Sequence, residues 1–296
     1  MSGARPTRSP GERNGPWPHV LLSWPALALL VLFVVPLCAM LAVSFFRRDV
    51  AAFFQPSFVL DNYARALSAF NLERLAVSLG LALLATLICV LVAVPFTYLL
   101  TRLPRRRQAP YLVLVLATLS LSEVVAAFAW SLLLSRTSGV SNLFVWLGLM
   151  EGPVSWSPGF MAALLGFVFI ALPLTILLLY PPVSRLDDEL VEAAATLGAT
   201  PLQAFRTVVI PVLRRAVAGS SALVFIFVLG AYVVPQTLGR PAQWTLPVHI
   251  TDQAILKSNL PLGAALAMVL LAASSLVALL ILALGGRERA TGRAAR

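Results

Sequence analysis

The chain has 296 residues, 59% of them hydrophobic and only 11% charged. A soluble domain carries about 25% charge, so this balance excludes a soluble enzyme or binding domain and describes a polytopic membrane protein. The formal charge of +10 rests on 22 basic residues, all but Lys257 arginines, gathered near the ends of apolar runs. That placement fits orientation in a bilayer and excludes a nucleic-acid-binding face.

Residues 1–19 are rich in Pro, Gly and Arg and read as a disordered tail. Val20 to Phe46 is free of charge. It is far longer than the 7–15 residues or so of a cleavable signal core, so it reads as an uncleaved first span. Charge-poor runs recur at Leu75–Thr101, Ala109–Ser135, Gly159–Ser184, Ala216–Gly239 and Asn259–Gly286. Six spans are therefore expected in one unit, residues 20–286, followed by a second tail at 287–296. The fold class is all-α and transmembrane.

In the first outer loop Asp61 is expected to cap a short helix running to about Phe70. The third span contains Glu123, the one ionisable residue well inside an apolar run. A charge there is costly and normally faces a bundle interior or a water-filled path. Two readings stay open. Glu123 lines a path for a cationic solute, or it is a protonated side chain hydrogen-bonded to Ser120 or Ser122.

The longest amphipathic segment lies between the fourth and fifth spans, at about 184–211, and reads as two short helices. Leu186, Leu190, Ala193, Ala194 and Leu197 recur at helical spacing as one apolar face. Asp187, Asp188 and Glu189 open the first helix, where carboxylates complement the helix dipole. Gly198 stops it in the left-handed conformation. Thr200, Pro201 and Gln203 then spell the start of a second helix, and Pro211 is expected to end or kink it. In the fifth span Gly230 and Pro235 mark a helix that can break.

Orientation follows from the basic residues. Fifteen of them lie in the two tails, the second-to-third loop and the fourth-to-fifth loop; seven lie in the other loops. The first set is cytoplasmic by the positive-inside rule. Both termini and the amphipathic loop are then expected in the cytoplasm.

Glu192-Ala193-Ala194, then Gly198, then Val208-Val209-Ile210-Pro211 resembles the E-A-A-x3-G-x9-I-x-L-P signature of permease subunits of bacterial binding-protein-dependent ABC importers. Val208 and Ile210 stand for the Ile and Leu of that pattern. Ala129–Leu134 with Gly139 and Asn142, the stretch Leu229–Gly239 and the stretch Pro261–Ala267 are similar to spermidine/putrescine-type permeases. The Asn62-Tyr63 pair extends the likeness into the first outer loop. The resemblance implies a six-helix type I importer permease fold in the bacterial inner membrane. It implies a cytoplasmic helix–Gly–helix coupling loop that docks on an ATPase through Glu192, Ala193, Ala194, Gly198, Ala199, Pro201 and Pro211. The likeness also places Trp130, Gly230, Tyr232 and Pro235 on an expected translocation path; Glu123 joins them on its own chemistry, since those permeases do not generally carry a Glu at its position. The implied partners are an ATPase dimer holding ATP and Mg, a second permease subunit forming a heterodimer, and a periplasmic solute-binding protein. Polyamines or a related small organic cation are the expected cargo.

No G-x4-G-K-[ST] phosphate loop occurs in the sequence, and neither a catalytic set nor a metal motif is apparent. The chain is read as a transport subunit without a cofactor of its own, not an enzyme. The alternative is a proton-coupled secondary transporter using Glu123, which leaves the helix–Gly–helix loop without a purpose.

Overall fold

The computed structural model describes residues 17–49, 53–137 and 139–286. The expected tails fall at 1–16 and 287–296, outside the described residues. Residues 17–19, read as tail, already belong to the first helix.

That helix, α1 (Trp17–Ser44), leads to a small antiparallel hairpin of β1 (Arg47–Asp49) and β2 (Phe53–Gln55). A short α2 (Asp61–Ala66) and the 33-residue α3 (Ala69–Thr101) follow. At about 1.5 Å per residue α3 is roughly 50 Å long, more than the bilayer core needs. Its first turns, with Glu73 and Arg74, therefore stand outside the apolar stretch that marked it in the sequence. The chain continues as α4 (Arg105–Leu119), α5 (Glu123–Leu133), α6 (Val140–Trp146) and α7 (Phe160–Ser184). Next come α8 (Asp188–Thr196), α9 (Pro201–Ala204), a π turn at Phe205–Val209 and α10 (Ile210–Gly230). The last elements are α11 (Val233–Leu238), α12 (Leu246–Thr251) and α13 (Leu260–Gly286).

Among the described residues five helical stretches are long and apolar enough to cross a membrane, and the bent pair α4–α5, counted as one span, brings the number to six. The expected third span is thus not one helix. Its halves meet at 93° across Ser120-Leu121-Ser122. Ser120 turns both its backbone N–H and its hydroxyl to the Leu116 carbonyl, a local bond that competes with continuing the ladder. Glu123 then starts α5 with a carboxylate in the first turn, where the helix dipole favours it.

The fifth span differs the other way. Pro201 to Gly230 is one helical stretch of 30 residues. Pro211 neither ends nor interrupts it, because the π turn just before it absorbs the missing backbone donor. Reading the span from Ala216 stopped at Arg214 and Arg215, yet long arginines are tolerated at the end of a span.

The core lies where α3, α7, α10 and α11 meet. Ala82, Ala85, Ala162, Ala163, Ala171, Phe167, Phe225 and Val234 are all buried there. Small side chains let the backbones approach, which is how helices associate where lipid removes the hydrophobic driving force. Cys89 is one of these small buried fillers.

In the first outer loop Leu60, not Asp61, occupies the cap position of α2. Asp61 instead pairs with Arg65 at 2.9 Å, one turn on. The buried Asn62 does the capping, but of α1. Its amide donates to the carbonyls of Ser44 and Phe46 at 3.0 and 2.8 Å. Tyr63 adds a hydroxyl contact to Ser44 at 2.8 Å. The Asn-Tyr pair therefore ties the exit of the first span to the next helix.

Candidate coupling loop and helix break

The helix–Gly–helix loop is built as its sequence spells it. Asp187 caps α8, its carboxylate accepting from the Glu189 N–H at 3.1 Å. Gly198 has φ +86°. The Ala199 N–H bonds to the Ala194 carbonyl at 3.0 Å and the Gly198 N–H to the Ala195 carbonyl at 2.9 Å. Those two bonds are a Schellman motif, which requires a left-handed residue at this position. Thr200 and Gln203 close a reciprocal capping box, with Pro201 at the first helical position.

The apolar positions of α8 divide between two sides. Leu186 and Val191 pack inward with Tyr98, Phe205, Val209 and Leu213. Leu190, Ala193 and Leu197 point away, and Leu197 is 89% exposed. Beside them Glu192, Pro201 and Leu202 are exposed, whereas Ala194 and Ala199 are half-buried. Spacing alone could not choose between these faces, because the inner one is set by contact with α3 and the π turn. The result is an outward ridge of leucines flanked by Glu189 and Glu192. The other two acids are engaged within the chain, Asp187 in its cap and Asp188 with Arg102. Pro211 lies in the first turn of α10 and is exposed.

A clasp that the sequence reading missed holds the loop to α3. Arg102 pairs with Asp188, and its guanidinium stacks 4.9 Å from the Tyr98 ring centre. Tyr98 in turn meets Phe205 at 5.2 Å. Nothing in the local sequence links residues 86 positions apart. The aromatic and the arginine one turn apart at the end of a span are the only signal.

At the far end of α10 the helix does break. It stops at Gly230; Ala231 is extended (ψ 135°) and α11 starts at Val233. The break meets the bend between α4 and α5. The Glu123 carboxylate accepts from the Val234 N–H at 3.4 Å, so it caps the first turn of α11 while heading its own helix. Of the two open readings, the hydrogen bond to Ser120 or Ser122 is not formed: the Glu123 carboxylate meets Val234 instead, and the Ser120 hydroxyl donates to the Leu116 carbonyl. Glu123 also lines a cavity of about 70 Å³ with Thr118, Phe169 and Phe227, and Trp130 stands edge-on to Phe169 at 5.7 Å. Tyr232 is half-buried in the break and Gly230 is exposed. Pro235 is buried, because α11 packs on α5 and α7. It belongs to the packing and lines no open surface of this chain.

Glu123→Gln isolates the charge, since an amide oxygen still accepts from Val234. Loss of one charge-assisted contact of about 1.5 kcal/mol predicts a roughly tenfold rise in the apparent KM for a cationic solute, with unchanged melting of the purified chain. Equal uptake by both proteins across a range of pH would leave Glu123 as a helix cap alone.

No family model matches the chain. Among curated proteins it is 32% identical over 244 residues to the spermidine/putrescine transport system permease protein PotB of Escherichia coli (strain K12), covering 81% of this chain and 88% of that one. The PotB protein of Haemophilus influenzae is 26% identical over 262 residues, covering 88% and 89%. The inner membrane ABC transporter permease protein YdcU of Escherichia coli is 28% identical over 264 residues, covering 84% of each. Among solved structures a chain of a bacterial ABC transporter importing the acidic polysaccharide alginate superposes with a TM-score of 0.74 at 15% identity, over 91% of this chain and 95% of that one. A second structure of such a transporter, in complex with its alginate pentasaccharide-bound periplasmic protein, gives 0.71 at 15% identity, over 91% and 93%. These structures share the fold.

Proposed function

This chain belongs to the permease subunits of ABC importers of the spermidine/putrescine type, and on that premise we propose that it passes a polyamine or a related small organic cation across the inner membrane, driven by a separate ATPase. The cargo reading draws on the relatives' names and on a carboxylate, Glu123, set beside Phe169 and Phe227, groups that attract an organic cation. The partners of the proposal are a cytoplasmic ATPase dimer, an unlike second permease and a periplasmic solute-binding protein. Both termini and the α8–α9 loop are assigned to the cytoplasm on the arginine count.

The observation that carries the mechanism is the continuity of Pro201–Gly230. A 30-residue helix, about 45 Å long, runs from the Gly198 turn to the break at Ala231. Clasped to α3 by Arg102, the loop cannot shift without moving the helix behind it. When the ATPase closes, displacement of the loop is carried along α10 to α11 and the Glu123 carboxylate that caps it. Alternating access then consists of these helices swinging about the break. A proton-coupled transporter accounts for neither the lever nor the outward ridge of Leu190 and Leu197.

Docking is tested at Glu192, which is exposed beside that ridge. A membrane-surface helix would carry basic residues toward anionic headgroups, whereas α8 offers Glu189 and Glu192. Glu192→Lys is expected to lower co-purification of the ATPase about fivefold, near the 1 kcal/mol upper end for an exposed ion pair, without changing membrane insertion. ATPase capture and solute-stimulated hydrolysis at wild-type levels would remove Glu192 from the docking surface. If deletion of residues 190–208 also left both intact, the coupling role of the loop would fall.

A further inference from the structure

Toward the ends that carry Arg102 and Arg214, α3, α10 and α13 splay apart. They leave a groove of about 470 Å³, within the roughly 300–1,000 Å³ of small-molecule sites. Its walls are apolar: Leu91, Val94 and Pro95 from α3, Phe205 and Val217 from the lever helix, Ile281 and Leu284 from α13. The floor is tight, because Gly285 lies so close to Ala218 that a Cβ there would come within 2.1 Å of the alanine methyl. At one end stands Arg214, half-buried and lining the groove. No hydrogen bond or ion pair to its guanidinium is formed among the described residues.

An apolar slot closed by one cation that is unpaired among the described residues selects its occupant by chemistry. The slot takes a hydrocarbon chain and the guanidinium takes a phosphate, to which its planar fork is matched. The segment after Gly286 is net basic, with Arg287, Arg289, Arg293 and Arg296 against Glu288, and Arg206 lies about two turns before Arg214 along the same helical stretch, so a basic occupant is disfavoured. We propose that this groove is a binding site for an anionic phospholipid, with an acyl chain between α3, α10 and α13 and the phosphate on Arg214. One of its walls is the proposed lever, so the lipid braces that helix in the half nearer the coupling loop. The site rests on the chain spanning a membrane, not on its direction or its cargo.

The test uses native mass spectrometry of the detergent-purified full chain, and of the assembled importer, mixed with equal amounts of phosphatidylglycerol and phosphatidylcholine. The wild type is expected to retain phosphatidylglycerol about fivefold in excess, the worth of one arginine against an anionic headgroup. Arg214→Gln loses that preference and Arg214→Lys keeps most of it. Leu91→Trp, at a rim position that is 64% exposed, fills the slot and lowers retention of both lipids without touching the core. A preference that survives Arg214→Gln overturns the assignment, as does retention unaffected by Leu91→Trp. Absence of bound phosphatidylglycerol from the assembled wild-type importer overturns it too and gives this face to the second permease subunit. All three results are independent of solute uptake, so they leave the transport reading where it stands.

Discussion

Gly198→Val abolishes solute uptake and ATPase capture while the chain remains inserted: this is the expected result, and the reason is backbone conformation. With φ at +86° the residue sits in the left-handed region, where a β-branched side chain costs about 1–3 kcal/mol. Space is not the obstacle, since a Cβ at this position meets nothing within 4 Å. The strain is relieved by undoing the two hydrogen bonds that turn Ala194 and Ala195 back onto the loop. Undoing them re-aims α8 relative to the capping box of Thr200 and Gln203. The leucine ridge then no longer presents one surface. The loop is exposed and buries no core residue in α8, so the melting temperature of the membrane domain should move little. Gly198→Asn should retain more activity, because asparagine enters the left-handed region more readily than valine. Transport assays in proteoliposomes and ATPase co-purification read both effects. Uptake at the wild-type rate by the valine variant would show that the fixed angle between α8 and α9 is not required.

The largest loss of stability is expected from Gly166→Leu. Gly166 is buried in α7 where α11 crosses it. A Cβ added there would lie 2.6 Å from Leu238 Cδ1 and 2.9 Å from Val234 Cγ1, and both of those residues are fully buried. One methyl already demands movement in a closely packed site, and leucine adds three more carbons. Overpacking of this kind costs about 1–3 kcal/mol and sometimes more. Gly166→Ala should show the lower part of that range and Gly166→Leu the upper part or a failure to purify as a monodisperse species. Function should suffer beyond stability, because displacing Val234 moves the N–H that Glu123 caps. Leu238→Ala in the Gly166→Ala background vacates the nearest contact and should recover part of the melting temperature. A Gly166→Leu protein that melts and transports like wild type would contradict the close approach of α7 and α11.

Much of this architecture was legible in the sequence. Apolar runs long enough to span a bilayer announce themselves, since hydrocarbon admits little else. The loop was legible for a different reason. Gly198, Thr200, Pro201 and Gln203 act through bonds no more than a few residues long, so their types dictate their geometry wherever the rest of the chain lies. The apolar runs, the orientation signal of the arginines and the local geometry of the helix–Gly–helix turn could therefore be read before any fold was known. Tertiary structure alone decided the rest. Glu123 looked like a charge stranded in a span, and it heads a second helix and also caps α11, whose Val234 N–H reaches it from 111 residues away. Which side of α8 faces inward, the clasp of Arg102 on Asp188, and the fusion of the loop's second helix with the fifth span all depend on neighbours remote in the chain. Hydrophobic spacing reports that a face is apolar, but only packing determines what covers it, and here one apolar side is packed with Tyr98 and Phe205 while Leu190 and Leu197 are left exposed.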